Sequence, residues 1–150
     1  MTASAQHSVS VAAIVVNDDG RVLMTQRRDN AKWEPPGGVL ELNESIVDGL
    51  RREVMEETKL DIQPERLTGV YKNMRRGIVA LVFRAHIIGG TPATTTAEAS
   101  RLEWLTPEQV RARCDDAYAV RVLDALSDGH TAVRSHDGVN VLRHLDQLPN

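Results

Sequence analysis

Three observations predict an α+β fold for this chain. Short β-branched runs bounded by turn residues recur along it, most clearly over residues 8–16 and 78–88. Three segments carry helix-start chemistry: Ser45 with Asp48, Thr106 with Pro107 and Gln109, and the pair Asp115-Asp116. The first opens a run, 46–58, in which Val47, Leu50 and Val54 make an apolar stripe while Glu53, Glu56 and Glu57 gather on one side.

Residues 8–16 are apolar, 17–20 (NDDG) are turn chemistry and 21–26 resume a strand pattern, so the first two strands are expected to form a hairpin. Residues 27–32 are polar. Pro35-Pro36-Gly37-Gly38 reads as a rigid irregular loop, because prolines remove donors and glycines permit unusual dihedrals. A helix follows over 46–58. Gly49 inside it costs about 1 kcal/mol relative to alanine, which points to close approach of the preceding loop or of a ligand. At the helix end Lys59 stands where glycine is favoured, and a left-handed lysine costs about 1 kcal/mol, so a slightly strained terminus is expected.

Residues 67–73 and 78–88 read as strands separated by Arg75-Arg76-Gly77, with Gly89-Gly90-Thr91-Pro92 ending the second. A polar stretch, 93–100, leads to a short strand over 101–105, and Thr106 then caps a helix with Pro107 at its first position. Another helix starts at Asp115 or Asp116 and ends near Ser127. Asp137-Gly138, between 131–135 and 139–142, predicts a last hairpin.

At 150 residues the chain is expected to be one domain, 1–150, with 41% hydrophobic and 26% charged residues and a net charge of −3. Nothing approaches the basicity of a nucleic-acid binder, and the five aromatic residues leave few stacking platforms, so long nucleic acid is not an expected partner. Cys114, the single cysteine, forms no internal disulfide, which fits a cytoplasmic location, and it reads as a small structural residue. The apolar stretch 9–16 is too short to span a bilayer, and the residues before it lack the Lys or Arg of a signal peptide. The five histidines form no zinc-ligand spacing.

The most informative run is 38–60. Residues three or four apart on a helix are neighbours, so Glu53, Glu56 and Glu57 project together, and like charges so crowded call for a cation. Arg52 and Glu56 share one flank while Glu53 and Glu57 share the next, so the guanidinium can orient one carboxylate and leave others for a metal. Hard oxygen ligands suit Mg²⁺ or Mn²⁺ and point to phosphoryl chemistry. Without metal, crowding raises the carboxyl pKa values, so protonation is expected to stabilise the apo fold as pH falls.

The run resembles the Nudix box, G-x₅-E-x₇-R-E-U-x-E-E-x-G-U, through Gly38, Glu44, Arg52, Glu53, Val54, Glu56, Glu57 and Leu60, with Lys59 replacing the second glycine. Residues 33–38 resemble the segment entering the box, and Trp104 with Glu108 resembles a later pattern of the family. The resemblance implies an α/β/α sandwich, a Nudix-type mixed sheet between helices, and hydrolysis of a nucleoside diphosphate linked to another group. It implies Mg²⁺, with Mn²⁺ as an alternative, bound by Glu53, Glu56 and Glu57 with the Gly37 carbonyl as a further ligand. Arg52 is implied as the orienting residue, Glu44 as support, and Glu98 as an extra ligand or general base.

For substrate contacts, Arg28, Arg27, Arg75 and Arg76 can hold a phosphate bidentately. Arg28 is the preferred one, since it leaves the second strand on the way to the glycine pair. Trp33 either stacks on a base or packs beneath the loop. A MutT-like action on an oxidised or noncanonical nucleoside triphosphate leads. ADP-ribose or a nucleotide sugar is the rival, and an inactive nucleotide-binding or protein-interaction module is the reading from another class. The segment 116–150 resembles nothing assigned and is a candidate dimer surface, leaving monomer and homodimer both open.

Overall fold

The computed structural model describes residues 5–149. Strand β1 (Ser8–Val15) is apolar on both faces and takes a central place, with Ala12 and Ile14 in one core cluster and Val11, Ala13 and Val15 in the other. It pairs in parallel with β6 (Ile78–Gly90) and antiparallel with β4 (Gly37–Val39). Beyond β6 lie β5 (Leu60–Asn73) and β8 (Ala132–His136), giving a mixed five-stranded sheet in the order β4-β1-β6-β5-β8. A second, three-stranded sheet holds β3 (Trp33–Glu34), β2 (Val22–Arg27) and β7 (Ala99–Leu105).

Helix α1 (Ile46–Thr58) closes one core through Leu50 and Val54, which pack with Val11, Val15, Leu60 and Ile62. After α2 (Pro107–Arg113), helix α3 (Asp116–Leu126) closes the other through Val120, Val122 and Ala125 against Ile14, Tyr71 and Val82. The expected mixed sheet between helices is therefore the observed architecture.

Two of the three helix-start readings hold at atomic level. Ser45 Oγ accepts the Asp48 N–H at 3.1 Å, and Thr106 with Gln109 forms a reciprocal capping box. Asp115 precedes α3 without a side-chain cap bond. Lys59 closes α1 in the left-handed region at φ 67°, ψ 17°, donating its N–H to the Met55 carbonyl. Lys59→Gly is expected to stabilise the protein by about 1 kcal/mol, read as a higher urea midpoint with an unchanged slope; an unchanged midpoint would show a relaxed terminus.

Four expectations are corrected. The turn at 17–20 forms, with Asn17 Oδ1 accepting the Asp19 and Arg21 N–H groups, but β1 and β2 share one isolated bridge, Val16–Val22, instead of a hairpin ladder. Turn chemistry is the same whether a chain doubles back or changes sheets, and here it changes sheets. Gly37 and Gly38 are not irregular: as β4 they pair with Ala12 and Val11. Strand β5 begins at Leu60 rather than at residue 67, because register shifts around Pro64 absorb its missing donor. Strand β8 docks in parallel on β5, and the last hairpin is reduced to the Asp137-Gly138 turn and one bridge, His136–Val141.

Candidate active site

Glu53 and Glu57 lie one helical turn apart on the buried side of α1. The Glu57 carboxylate accepts from Thr25 Oγ1 and from the Gly37 N–H, both at 3.0 Å, and no basic side chain among the described residues pairs with it. Burial pushes the Glu57 carboxyl up to about 7 against those two bonds, with the charges of Glu34 and Glu98 adding to the rise. Burial raises Glu53 as well, opposed by its bond to Arg52. A desolvated carboxylate lacking a counter-charge is a group that gains from a cation.

Arg52 is the hub of the polar network. Its Nε and one terminal nitrogen grip Glu44 bidentately at 2.8 and 2.6 Å, and the other donates to Glu53 at 3.0 Å and to Glu56 at 3.3 Å. A further bond reaches the Val39 carbonyl. The guanidinium holds the Glu44 carboxyl down at about 2, helped by the Glu41 N–H. Arg52 thus ties the loop after β4 to α1 and sets the Glu53 carboxylate. Gly49 has the reason its position suggested: a Cβ there would strike Leu40 and the Glu44 carboxylate.

The glycine pair is positioned by contact on both sides. A Cβ on Gly37 would overlap the Val11 carbonyl and Ala12, and one on Gly38 would overlap the Glu53 carboxylate. The two differ in what must yield. Gly37→Ala collides with backbone and is expected to cost about 1–3 kcal/mol, whereas Gly38→Ala displaces only a side-chain end and should cost less. Equal losses in urea unfolding would contradict the close β4–β1 approach.

All the donors here are hard oxygens, which fits a divalent cation of the magnesium type. Among the described residues no three acidic, histidine or cysteine side chains converge as a metal cage. Glu53 and Glu57 face the glycine edge, while Glu56 is more exposed and turned to Arg52. At Gly37 the recorded contact with Glu57 is through the N–H.

A NUDIX domain family model matches residues 6–126. The chain belongs to the Nudix family. A MutT-like protein of Streptomyces ambofaciens is 52% identical over 136 residues, covering 91% of this chain and 88% of that one. A putative 8-oxo-dGTP diphosphatase of Bacillus subtilis is 30% identical over 94 residues, 63% of each chain. Among solved structures, an ADP-ribose pyrophosphatase from Streptococcus suis superposes with a TM-score of 0.71 at 19% identity, over 87% of this chain and all of that one. These relatives make the Nudix chain a hydrolase of this family.

The structure brings Glu98 to the Nudix carboxylates. A cavity of about 410 Å³ is lined by Gly37, Glu57, Glu98, Arg27 and Arg28. Arg28 is anchored there, its N–H donating to the Glu98 carbonyl and its Nε to the Thr96 carbonyl. Arg27 is engaged with Asp29 and Glu34. Trp33 is buried, with Arg101 and Arg113 guanidinium groups 5.7 and 5.6 Å from its ring centroid, so it packs beneath the loop instead of offering a free face. Arg75 and Arg76 line a neighbouring groove with Tyr118 and the 137–139 turn, which meets the Glu57 cavity at Arg27 and Asp29. Cys114, pushed up to about 11 by burial, is no nucleophile. No helix among the described residues is long and apolar enough to cross a membrane.

Sequence reasoning missed Thr25, Arg121 and His136. Thr25 is a fully buried hydroxyl reaching Glu57 across 32 residues, and no local pattern marks such a contact.

Proposed function

We propose that this Nudix protein hydrolyses the pyrophosphate bond of a nucleoside triphosphate bearing a noncanonical or oxidised base. The observation that carries the reading is Glu57, a buried carboxylate without a cationic partner among the described residues, set against Gly37 in one cavity with Glu98 and Arg28. Nudix hydrolases generally use a divalent metal, and Mg²⁺, with Mn²⁺ as the alternative, suits the oxygen donors present. Glu53, Glu57 and, released from Arg52, Glu56 would hold it, with the Gly37 carbonyl as a further ligand. Bound there, the cation polarises phosphoryl oxygens and acidifies a water.

The chain's own residues supply the rest. Arg52 positions Glu53 through its 3.0 Å bond and keeps the loop after β4 in place. Glu98, exposed on its loop yet facing the Glu57 cavity, accepts the proton of the attacking water. Arg28, anchored beside Glu98, presents its remaining nitrogens to a phosphate. A pure binding module has no use for desolvated carboxylates. The Bacillus subtilis relative named for 8-oxo-dGTP supports a triphosphate. ADP-ribose or a nucleotide sugar is a second reading, favoured by the neighbouring groove of Arg75 and Arg76, which meets the carboxylate cavity at Arg27 and Asp29.

The test is a phosphate-release screen over a nucleotide panel with Mg²⁺ beside Glu57→Gln. Turnover of an oxidised or noncanonical triphosphate above all others is expected. If no nucleotide is cleaved and metal leaves the melting temperature unchanged, the reading is wrong.

A further inference from the structure

A pocket of about 270 Å³ shares Gly37 and Gly38 with the carboxylate site and is lined by Arg121, Tyr118 and His136, with Arg27, Glu34 and Arg76 as its other charged residues. Arg121 is 7% exposed, its guanidinium lying 5.1 Å from the ring centroid of Tyr71 and 4.7 Å from that of Tyr118. No carboxylate among the described residues pairs with it, and its Nε has no hydrogen-bond partner. Its polar neighbour is His136 Nε2 at 3.3 Å. That contact sets donor against donor. His136 Nδ1 accepts the Gly138 N–H at 3.0 Å, so a neutral ring carries its proton on Nε2. Burial, reinforced by the charge of Arg121, pushes His136 down to about 4, and the ring is neutral at ordinary pH.

A guanidinium and an imidazole thus line one pocket with donors against each other; Glu34, lining the same pocket, acts on Arg121 through its charge, but no acceptor among the described residues bonds Arg121 Nε. An uncompensated buried cation is strongly unfavourable, and aromatic faces offset only part of it. A neutral keto edge would satisfy the N–H groups and leave the charge. An oxyanion satisfies both. We infer that Arg121 and His136 form a recognition site for a phosphate group, the third anionic group of the substrate beyond the two phosphoryl groups whose bond is cut. The identity of the carrier rests on the triphosphate reading above; the anion site itself does not. Arg27, Arg76 and Arg121 line the pocket against one carboxylate, Glu34, which Arg27 pairs at 3.0 Å, so the approach is cationic on balance.

The experiment uses the full chain, depleted of metal on a chelating resin. Inorganic phosphate, a nucleoside triphosphate and the uncharged nucleoside are titrated into wild type, Arg121→Met, Arg121→Lys and Glu57→Gln, read by calorimetry and melting temperature. Phosphate should bind wild type and Glu57→Gln alike. Arg121→Met should melt at or above wild type without ligand and lose at least ten-fold in phosphate affinity, while Arg121→Lys keeps most of it. Tighter binding of the triphosphate, lost in Arg121→Met, identifies the substrate as carrier. Equal binding identifies free phosphate, and either result supports the site. Phosphate affinity in Arg121→Met within two-fold of wild type, or a ligand-free melting point several degrees lower, overturns it. Neither readout needs turnover, so an inactive protein would refute the hydrolase reading and leave this result standing.

Discussion

Glu57→Gln is expected to lower kcat on the order of 10²–10⁴-fold and, in the same protein, to raise the stability of the metal-free fold at pH 8. The two effects share one cause. The wild-type carboxylate is ionised at pH 8 in a place where burial has moved its pKa from 4.5 to about 7. Ionising it there costs up to about 3 kcal/mol. Glutamine keeps the shape and meets the same partners, its oxygen accepting the Gly37 N–H and its amide donating to the Thr25 hydroxyl, which can bond onward to the Glu34 carbonyl. A variant both inactive and more urea-resistant is the mark of a site that holds charge for chemistry. Lost activity with lost stability would make Glu57 a structural residue instead.

The pH dependence of the metal-free protein is expected to hide two opposing slopes. Glu57 has a folded pKa of about 7 against 4.5 when unfolded, so the folded state binds more protons in that window. Its contribution is complete below 4.5 and is lost as pH rises through 7. His136 has a folded pKa of about 4 against 6.5 when unfolded, so the unfolded state binds more protons and stability is lost as pH falls through that window. Each contributes about 3 kcal/mol at full extent, and between pH 6.5 and 4.5 they nearly cancel. Single variants separate them. His136→Gln should grow more stable as pH drops from 7 to 5, while Glu57→Gln should grow less stable from pH 6.5 downward. Below about pH 4 both fall, as Asp116 loses its ion pair with Arg143. Parallel urea midpoints in the two variants across pH 8, 6.5 and 5 would refute the opposition. The simpler expectation of acid stabilisation, drawn from the carboxylates alone, lacked His136.

What the sequence made readable was local. Ser45, the apolar stripe and the carboxylates of α1 sit within one helix, where spacing alone decides who meets whom, and the helix bounds 46–58 are those observed. Gly49 and Lys59 announced themselves as exceptions to helical preference: Gly49 makes room for Leu40 and Glu44, and Lys59 closes the helix in the expected left-handed conformation. Unreadable was whatever depends on partners distant along the chain. The residues 17–20 form the same turn in a hairpin and in a crossing between sheets, so β2 was joined to the wrong neighbour. Thr25 meets Glu57 only because that crossing brings β2 under α1. Arg121 and His136 are unremarkable in sequence, and their unpaired donors appear only when β8 docks on β5.

Proton release on metal binding tests the central claim most directly. Mg²⁺ and Mn²⁺ are titrated calorimetrically at pH 6.5 in two buffers of different ionisation enthalpy, which counts the protons expelled. With its pKa near 7, Glu57 is mostly protonated at that pH and must deprotonate to serve as ligand. More than about half a proton per ion should leave wild type, and far less should leave Glu57→Gln, whose metal affinity should be weaker. Metal binding without proton release, or with equal affinity in the variant, would place the cation elsewhere and contradict the account.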